Sequence, residues 1–174
     1  MQVLTGNNIY LRGLEPEDLD FLYTVENDVN FWEVSSTQTP YTKHVLQQYL
    51  ANAHLDIYEA KQLRLIIAEN ESHKYLGIID IFDYNPQHKR AGLGILILEN
   101  EQHKGYASEA LNILTDYCFN QLNLHQLFVN ISTDNKNSIK LFKKHDFVKI
   151  GLKKEWIYYK GAFKDEILFQ LLKP

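Results

Sequence analysis

One run constrains this chain more than any other. Leu93 to Leu98 is apolar and reads as a strand, Glu99-Asn100-Glu101-Gln102-His103-Lys104 is a polar turn, and Gly105-Tyr106-Ala107 opens an amphipathic helix through Ala110, Leu111 and Leu114. A strand that feeds straight into a helix N-terminus leaves several backbone N–H groups without intrahelical partners, all pointing at one place. Such a place attracts anions, phosphate above all. Gly105 lets the backbone approach a phosphate closely, Ala107 keeps the first turn thin, and Lys104 adds a positive charge. Junctions of this kind also serve structure alone. This one lacks the G-x-x-x-x-G-K-[ST] of a P-loop and the G-x-G-x-x-G of a dinucleotide fold.

The remaining elements alternate without a linker, repeat or low-complexity stretch. Ile9 to Arg12 reads as a strand, and Glu15-Pro16-Glu17-Asp18 opens a helix through Leu19, Leu22 and Tyr23. A second helix, capped by Thr42, is expected to run to Ile57, and Trp32 to Thr39 between the two reads as a loop. Leu63 to Ala68, Tyr75 to Phe82 and Leu93 to Leu98 suggest an antiparallel meander. A helix over Gly105 to Leu122, a strand over Leu127 to Ile131, a helix over Asn137 to His145 and two late strands, Glu155 to Tyr159 and Glu166 to Leu172, complete a mixed-sheet α/β pattern.

At 174 residues and 45% apolar, one domain over residues 1–174 has enough apolar surface for a core without staples. The single Cys118 has no partner for a disulfide, which suits a reducing compartment, and the cytoplasm is the expected location. The opening residues show no basic-then-apolar leader, and no run approaches the roughly 18 apolar residues that span a bilayer. A net charge of −4 disfavours a sequence-independent grip on nucleic acid, so neither nucleic acid nor membrane is expected as a partner. The acid is concentrated. Between Gly13 and Thr42 there is no Lys, Arg or His, while Glu15, Glu17, Asp18, Asp20, Glu26, Asp28 and Glu33 all fall there. That segment is either a solvated helix face or a surface that draws a cationic substrate.

Gln102-His103-Lys104-Gly105-Tyr106-Ala107 resembles the Q/R-x-x-G-x-G/A pyrophosphate loop of the Gcn5-related N-acetyltransferase (GNAT) superfamily. The continuation Ser108-Glu109-Ala110-Leu111 is similar to the branch holding spermidine/spermine and ribosomal-protein N-terminal acetyltransferases. Asn135-Lys136-Asn137-Ser138-Ile139-Lys140-Leu141-Phe142-Lys143-Lys144 resembles the same branch's N-x-x-[AS]-I-x-x-[YF]-x-K segment, and Gly151, Trp156, Gly161, Phe163, Asp165 and Phe169 are similar to its closing hairpin.

The resemblance implies a GNAT fold: a mixed central β-sheet, flanked by helices, that splays between the two strands binding acetyl-CoA, here Leu93 to Leu98 and Leu127 to Ile131. It implies acetyl transfer to a primary amine by direct attack, on a polyamine such as spermidine, a protein N-terminus or an aminoglycoside; the rival from another class is a non-catalytic acyl-CoA- or polyamine-sensing module. Cofactor contacts would come from Leu96, Ile97, Leu98, Gln102, His103, Lys104, Gly105, Tyr106, Ala107, Asn130, Asn135, Ser138 and Phe142. Backbone N–H groups near Leu96 to Leu98 would hold the oxyanion. Glu26, Asp28, Trp32 and Glu33 would face the amine, Glu33, Asp80, Asp83 and Glu99 are candidates to take its proton, and Ser138, Tyr106 or Tyr158 could protonate the thiolate. No metal spacing is present and none is expected. A homodimer is expected by analogy. Two positions depart from the family: Phe142 stands where many relatives have a Tyr proton donor, and Gly92 lies where they often carry a Glu. A third, Asp146, replaces a Gly at a left-handed helix end.

Overall fold

The structure, a computed structural model, describes residues 4–174; the reading of the chain's opening residues falls partly on residues outside these. Strands β1 (Leu4–Thr5), β2 (Ile9–Gly13), β3 (Leu63–Glu69), β4 (Tyr75–Asn85), β5 (Arg90–Ile97), β6 (Gln126–Ser132), β7 (Val148–Tyr159) and β8 (Ala162–Leu172) lie in one sheet. Their spatial order is β1-β2-β3-β4-β5-β6-β8-β7. Helices are α1 (Leu19–Glu26), α2 (Trp32–Ser35), α3 (Lys43–Ala51), α4 (Ile57–Ala60), α5 (Tyr106–Asp116) and α6 (Lys136–Lys144). The sheet is mixed and flanked by helices, as expected. Among the described residues no helix is long and apolar enough to cross a membrane.

Period-2 alternation divides the strands between two cores. Ile79, Ile81, Leu93, Leu127 and Val129 pack with Ala110, Leu111 and Leu114 of α5 in the larger one. On the opposite face Ile78 packs under Leu22 and Val25 of α1 and Leu46 and Leu50 of α3, with Leu96 against them. Both faces of the β4–β5 ribbon are therefore covered by helices, and its residues are positioned by packing from two sides.

The position of the site depends on how β5 ends. Its pairing with β4 is antiparallel and continuous from Phe82↔Gly92 to Gly77↔Ile97. Its pairing with β6 is parallel and limited to Arg90↔Gln126, Ala91↔Leu127 and Gly92↔Phe128. Beyond Gly92 the two strands separate, while β6 stays paired with β8 along its whole length.

Several boundaries differ from expectation, each for a local reason. The helix from Thr42 stops at Ala51, where the Asn52 N–H bonds back to Gln48 and Tyr49. Asp56 then caps the separate turn α4, its side chain accepting from Glu59 N–H. The expected loop after Trp32 contains α2, closed by Ser36 in the left-handed region. The long helix from Gly105 is α-helical only to Asp116 and continues as a π-helical turn, Tyr117–Gln121. β7 and β8 begin earlier than read, because β7 is an exposed edge strand with irregularities at Lys149/Gly151 and Lys153/Ile157 that break its alternation. β5 starts at Arg90, its opening hidden by Gly92 and Gly94. Asp146 does take the left-handed conformation, φ 66°.

The first part of the acidic segment is structural. Asp18 is fully buried. Its carboxylate accepts from Arg12 Nη1 at 2.9 Å and Nη2 at 2.8 Å, from Tyr75 Oη at 2.8 Å and from Glu15 N–H at 2.7 Å. Burial alone would push this carboxyl up, but the bonds from Arg12, Glu15 and Tyr75 outweigh it and hold the group below its ordinary value of 3.8. The network ties β2, the start of α1 and β4 together. Asp18→Asn leaves Arg12 without its charge partner and should destabilise the fold by about 3–5 kcal/mol, read as a lowered denaturation midpoint. Because the folded carboxyl titrates low, its stabilisation is present above pH 3.8 and is lost as pH falls through the folded value; the acid arm of the stability profile should flatten in Asp18→Asn.

Candidate functional site

Two concavities meet at the free part of β5. One is a groove of about 660 Å³ between Ile95–Ile97, the loop at Gln102–Gly105, the first turn of α5 and the face of α6 carrying Ser138 and Leu141. The other is a cavity of about 480 Å³ on the opposite side, floored by Ile78, Asp80 and Phe82 of β4 with Gly94 of β5. Phe31, Val34, Ile95 and Leu96 line both. A molecule in the groove and another in the cavity would touch across these four residues.

The backbone of β5 contributes directly. Leu98 N–H donates to Leu76 O at 2.9 Å. Alternation in an antiparallel ladder then turns the N–H and C=O of Ile97 and Ile95 away from β4, into the gap left by β6. The Ile97 carbonyl is met by Gln102 Nε2 at 3.0 Å. Of the three residues expected to offer an oxyanion donor, Ile97 has its N–H facing the gap, whereas those of Leu96 and Leu98 are turned to β4.

At the groove's far end the loop has two left-handed residues, His103 at φ 63° and Gly105 at φ 86°. Gly105 is the N-cap of α5, with no side-chain capping bond there. A Cβ at Gly105 would meet nothing within 4 Å, so the approach to the first-turn N–H groups is open. These groups face outward beside the positive end of an eleven-residue helix. Lys140 and Lys144 of α6 line the same groove. Ser108 Oγ and His145 Nε2 lie 2.7 Å apart, bridging α5 to the end of α6, and burial, then the Lys144 charge, pushes the imidazole below its ordinary value.

The expected cofactor residues divide. Leu96, Ile97, Gln102, His103, Gly105, Tyr106, Ala107, Asn135 and Ser138 line the groove. Asn135 Oδ1 accepts from Ser138 N–H at 3.2 Å and caps α6. Lys104 also belongs to this loop, but its Nζ turns to Glu101 Oε2 at 3.0 Å. Asn130 does not reach the groove; its Oδ1 accepts from Lys153 Nζ at 3.1 Å. Phe142 is a correction: it is 1% exposed and packs edge-to-face on Phe147 at 5.1 Å, inside the core. The apolar stripe of α6 turns it inward.

The polar residues on the acceptor side are largely paired. Arg64 of β3 donates to Asp80 through Nε at 2.7 Å and Nη2 at 3.1 Å, and through Nη1 to Glu26. This Glu26–Arg64–Asp80 cluster forms the polar end of the cavity and carries one net negative charge. Glu33 is paired with Lys164, which also binds Asp134 at 2.6 Å. Trp32 Nε1 donates to Glu26 O at 3.0 Å, and Asp28 accepts from Asn30 N–H at 2.9 Å, so neither side chain is aimed into the cavity. Among the candidate proton donors, the Tyr106 hydroxyl donates to Glu69 at 3.1 Å, and that bond raises its pKa. Arg64, Phe31 and Val34 were not anticipated. Arg64 was detectable as the one cation inside the apolar run Leu63 to Ala68.

At Gly92, where a Glu was noted as common in relatives, an added Cβ would lie 2.4 Å from the Phe82 ring and 2.9 Å from Phe128. These rings stack edge-to-face at 5.7 Å over the point where β5 and β6 part. Among the described residues no group of three His, Cys, Asp or Glu is placed to hold a metal.

An open helix start, a groove along an unpaired strand edge and a second cavity opening onto that same edge form a site in which two reactants could meet across one strand. The acetyltransferase (GNAT) domain family model matches residues 8–148. The chain belongs to that family and is an N-acetyltransferase. It is 27% identical over 163 residues to the spermidine N(1)-acetyltransferase of Vibrio cholerae, covering 92% of this chain and 90% of that one. It is 30% identical over 174 residues to the uncharacterized N-acetyltransferase p20 of Bacillus licheniformis, covering 99% and 97%. The crystal structure of the Vibrio spermidine N-acetyltransferase with CoA and spermine superposes with a TM-score of 0.86 at 24% identity, covering 94% and 95%. A dodecameric structure of that enzyme superposes with a TM-score of 0.79 at 26% identity, covering 94% and 93%.

The Phe82–Phe128 pair accounts for the glycine between them. Gly92→Ala should overpack the strand junction and cost about 1–3 kcal/mol in a denaturant midpoint. Combining it with Phe82→Ala should cost less than the sum of the two single changes, because the second opens the space the first needs. Strict additivity would show that the rings do not fill this position.

Proposed function

We propose that this chain transfers the acetyl group of acetyl-CoA to a primary amine of a polyamine such as spermidine. The observation that carries this reading is the meeting of groove and cavity along the unpaired edge at Ile95–Leu96. The diphosphate would rest on the first-turn N–H groups of α5 and on the loop from His103 to Ala107. The amide-bearing arm would lie along the Ile95–Ile97 edge as an added strand, with Asn135 and Ser138 on the far wall. The acetyl group would then reach the shared residues, where Ile97 N–H faces the developing oxyanion.

The acceptor would enter through the cavity. An alkyl ammonium has a pKa of about 10.4, so it arrives charged and must lose a proton before attack. The net negative Glu26–Arg64–Asp80 cluster suits a cation, and Asp80, oriented by Arg64, is the carboxylate best placed to take that proton. The bond that forms is N–C and the bond that breaks is C–S. Thiolate departs with Ser138 as the remaining hydroxyl on the groove wall, Tyr106 being engaged by Glu69 and Ser108 by His145. A thiol of pKa about 8.5 is a fair leaving group without an acid.

The polyamine acceptor is supported by the relatives and by the charge of the cavity. A peptide N-terminus has no comparable support among the relatives. Self-association is part of the proposal: Trp156, Tyr158 and Phe163 stand exposed together on the β7–β8 hairpin.

Calorimetric titration with acetyl-CoA, followed by a thiol-release assay with spermidine, an Ala-starting peptide and an aminoglycoside, tests the whole reading. Binding and fastest release with spermidine are expected, and no binding of acetyl-CoA would overturn it. Asp80→Asn should lower kcat by about 10² or more while leaving acetyl-CoA affinity unchanged.

A further inference from the structure

Glu101 is an anomaly on this reading. It is one of two buried charged residues among those described, 4% exposed, and it lines the groove assigned to an anionic cofactor. A buried carboxylate is costly in itself. Beside a diphosphate it would also repel.

Its contacts resolve the conflict. Glu101 Oε2 accepts from Lys104 Nζ at 3.0 Å, and Oε1 accepts from Lys74 Nζ. Lys74 comes from the turn between β3 and β4, Lys104 from the loop itself, and both ammoniums remain about half exposed. The bond to Lys104 spans His103, whose left-handed backbone is unfavourable for a residue with a side chain. One carboxylate thus pins the strained loop and holds two ammoniums beside it, a trio of net charge +1. The same turn braces the helix start a second time, since Glu69 at the end of β3 accepts from both Tyr106 Oη and Ser72 Oγ.

We propose that Glu101 is a positioning residue for the diphosphate of acetyl-CoA, holding the loop from Gln102 to Gly105 open and bringing Lys74 from the β3–β4 turn to that end of the groove. The inference rests on the cofactor placement above and adds to it a second segment of chain, remote from the phosphate loop in sequence, that contributes to cofactor affinity.

The sign of the effect separates positioning from simple charge. Glu101→Gln removes a negative charge next to the phosphates and makes the local charge more positive by one. Through-space electrostatics alone would tighten acetyl-CoA; loss of positioning weakens it.

The test uses thiol release with spermidine as acceptor and two acetyl donors, acetyl-CoA and S-acetyl-pantetheine, which lacks the phosphates. Glu101→Gln is expected to raise the KM for acetyl-CoA roughly tenfold, the cost of re-immobilising two lysine side chains on binding, with kcat held and the KM for S-acetyl-pantetheine unchanged. Lys74→Met changes an exposed side chain and should raise the same KM in the same selective way, so the test survives if Glu101→Gln folds poorly. Tighter or unaltered acetyl-CoA binding in Glu101→Gln, an unaltered KM in Lys74→Met, or equal losses with both donors would each overturn the proposal. If the wild-type chain neither binds nor uses acetyl-CoA, the cofactor placement itself fails and this inference falls with it; if it does and the variants behave like wild type, only the inference falls.

Discussion

The separation of β5 from β6 after Gly92 is the constraint on which the rest of the molecule depends. Backbone N–H and C=O groups away from water need partners, and a strand that loses its neighbour leaves a row of them. Here β5 is held by β4 and β6 by β8, so neither strand can move to close the gap without breaking a ladder on its other side. Gln102 takes up the carbonyl of Ile97. The other groups along this edge are fixed in direction by the β4 ladder, and a ligand with amides of its own can pair with them at little reorganisation cost. The chain leaving β5 turns at once into α5, which sets the anion-binding end at the mouth of the same gap. Strand edge and helix start are therefore one construction.

Charge differs between the two hollows, as the proposed pair of substrates would require. The groove has a helix N-terminus, Lys140 and Lys144 against the carboxylate of Glu101, which Lys74 and Lys104 hold; the cavity has Glu26 and Asp80 against the single cation Arg64. Arg64 lowers the field that the two carboxylates would produce alone, but it fixes their directions. A carboxylate held by a guanidinium on one side presents a defined face to the cavity, and a pocket of fixed dipoles loses less on binding than one whose side chains must be ordered. Lys164 does the corresponding work outside the cavity, joining Glu33 on α2 to Asp134 before α6, so that the segment covering the cavity and the loop beside the groove share an anchor.

This arrangement shows what a sequence reading can and cannot reach. The strand–loop–helix junction is legible because every signal in it is local: an apolar run, a glycine where φ must be positive, and a 3.6-residue stripe. The acidic segment is not, because its meaning lies in partners elsewhere. Read as one field, it comprises a buried structural carboxylate at Asp18, a surface pair of Asp20 with Lys43, a cavity group at Glu26 and an anchor at Glu33 whose partner lies 131 positions away. Nothing in a window of ten residues separates these roles. β7 fails for a different reason. An edge strand with bulges and a left-handed Glu155 loses the alternation by which strands are recognised, and only its pairing with β8 reveals its length. Phe142 lies on the helix the motif implies, but it is buried and not a groove residue, since a motif gives position along the chain and the apolar stripe decides which way a side chain turns.

The two positions where ionisable groups were expected from the family resemblance are both taken by aromatic packing. Phe142 lies against Phe147, and Gly92 leaves its space to Phe82 and Phe128, each pair edge-to-face. The junction of cavity and groove is made apolar instead by Phe31, Val34, Ile95 and Leu96, with Phe82 on the cavity side, and in such surroundings the interactions proposed there, Ile97 N–H toward an oxyanion and Asp80 toward an ammonium, would act over a smaller effective dielectric. Direct attack by an amine on a thioester is a reaction in which orientation and charge stabilisation supply most of what is needed. A chain with aromatic packing at the two positions where relatives often carry an ionisable group, and with Asp80 as its proposed base elsewhere, would depend the more on that part of the catalysis, which makes the geometry of the β5 edge the quantity its sequence has to protect.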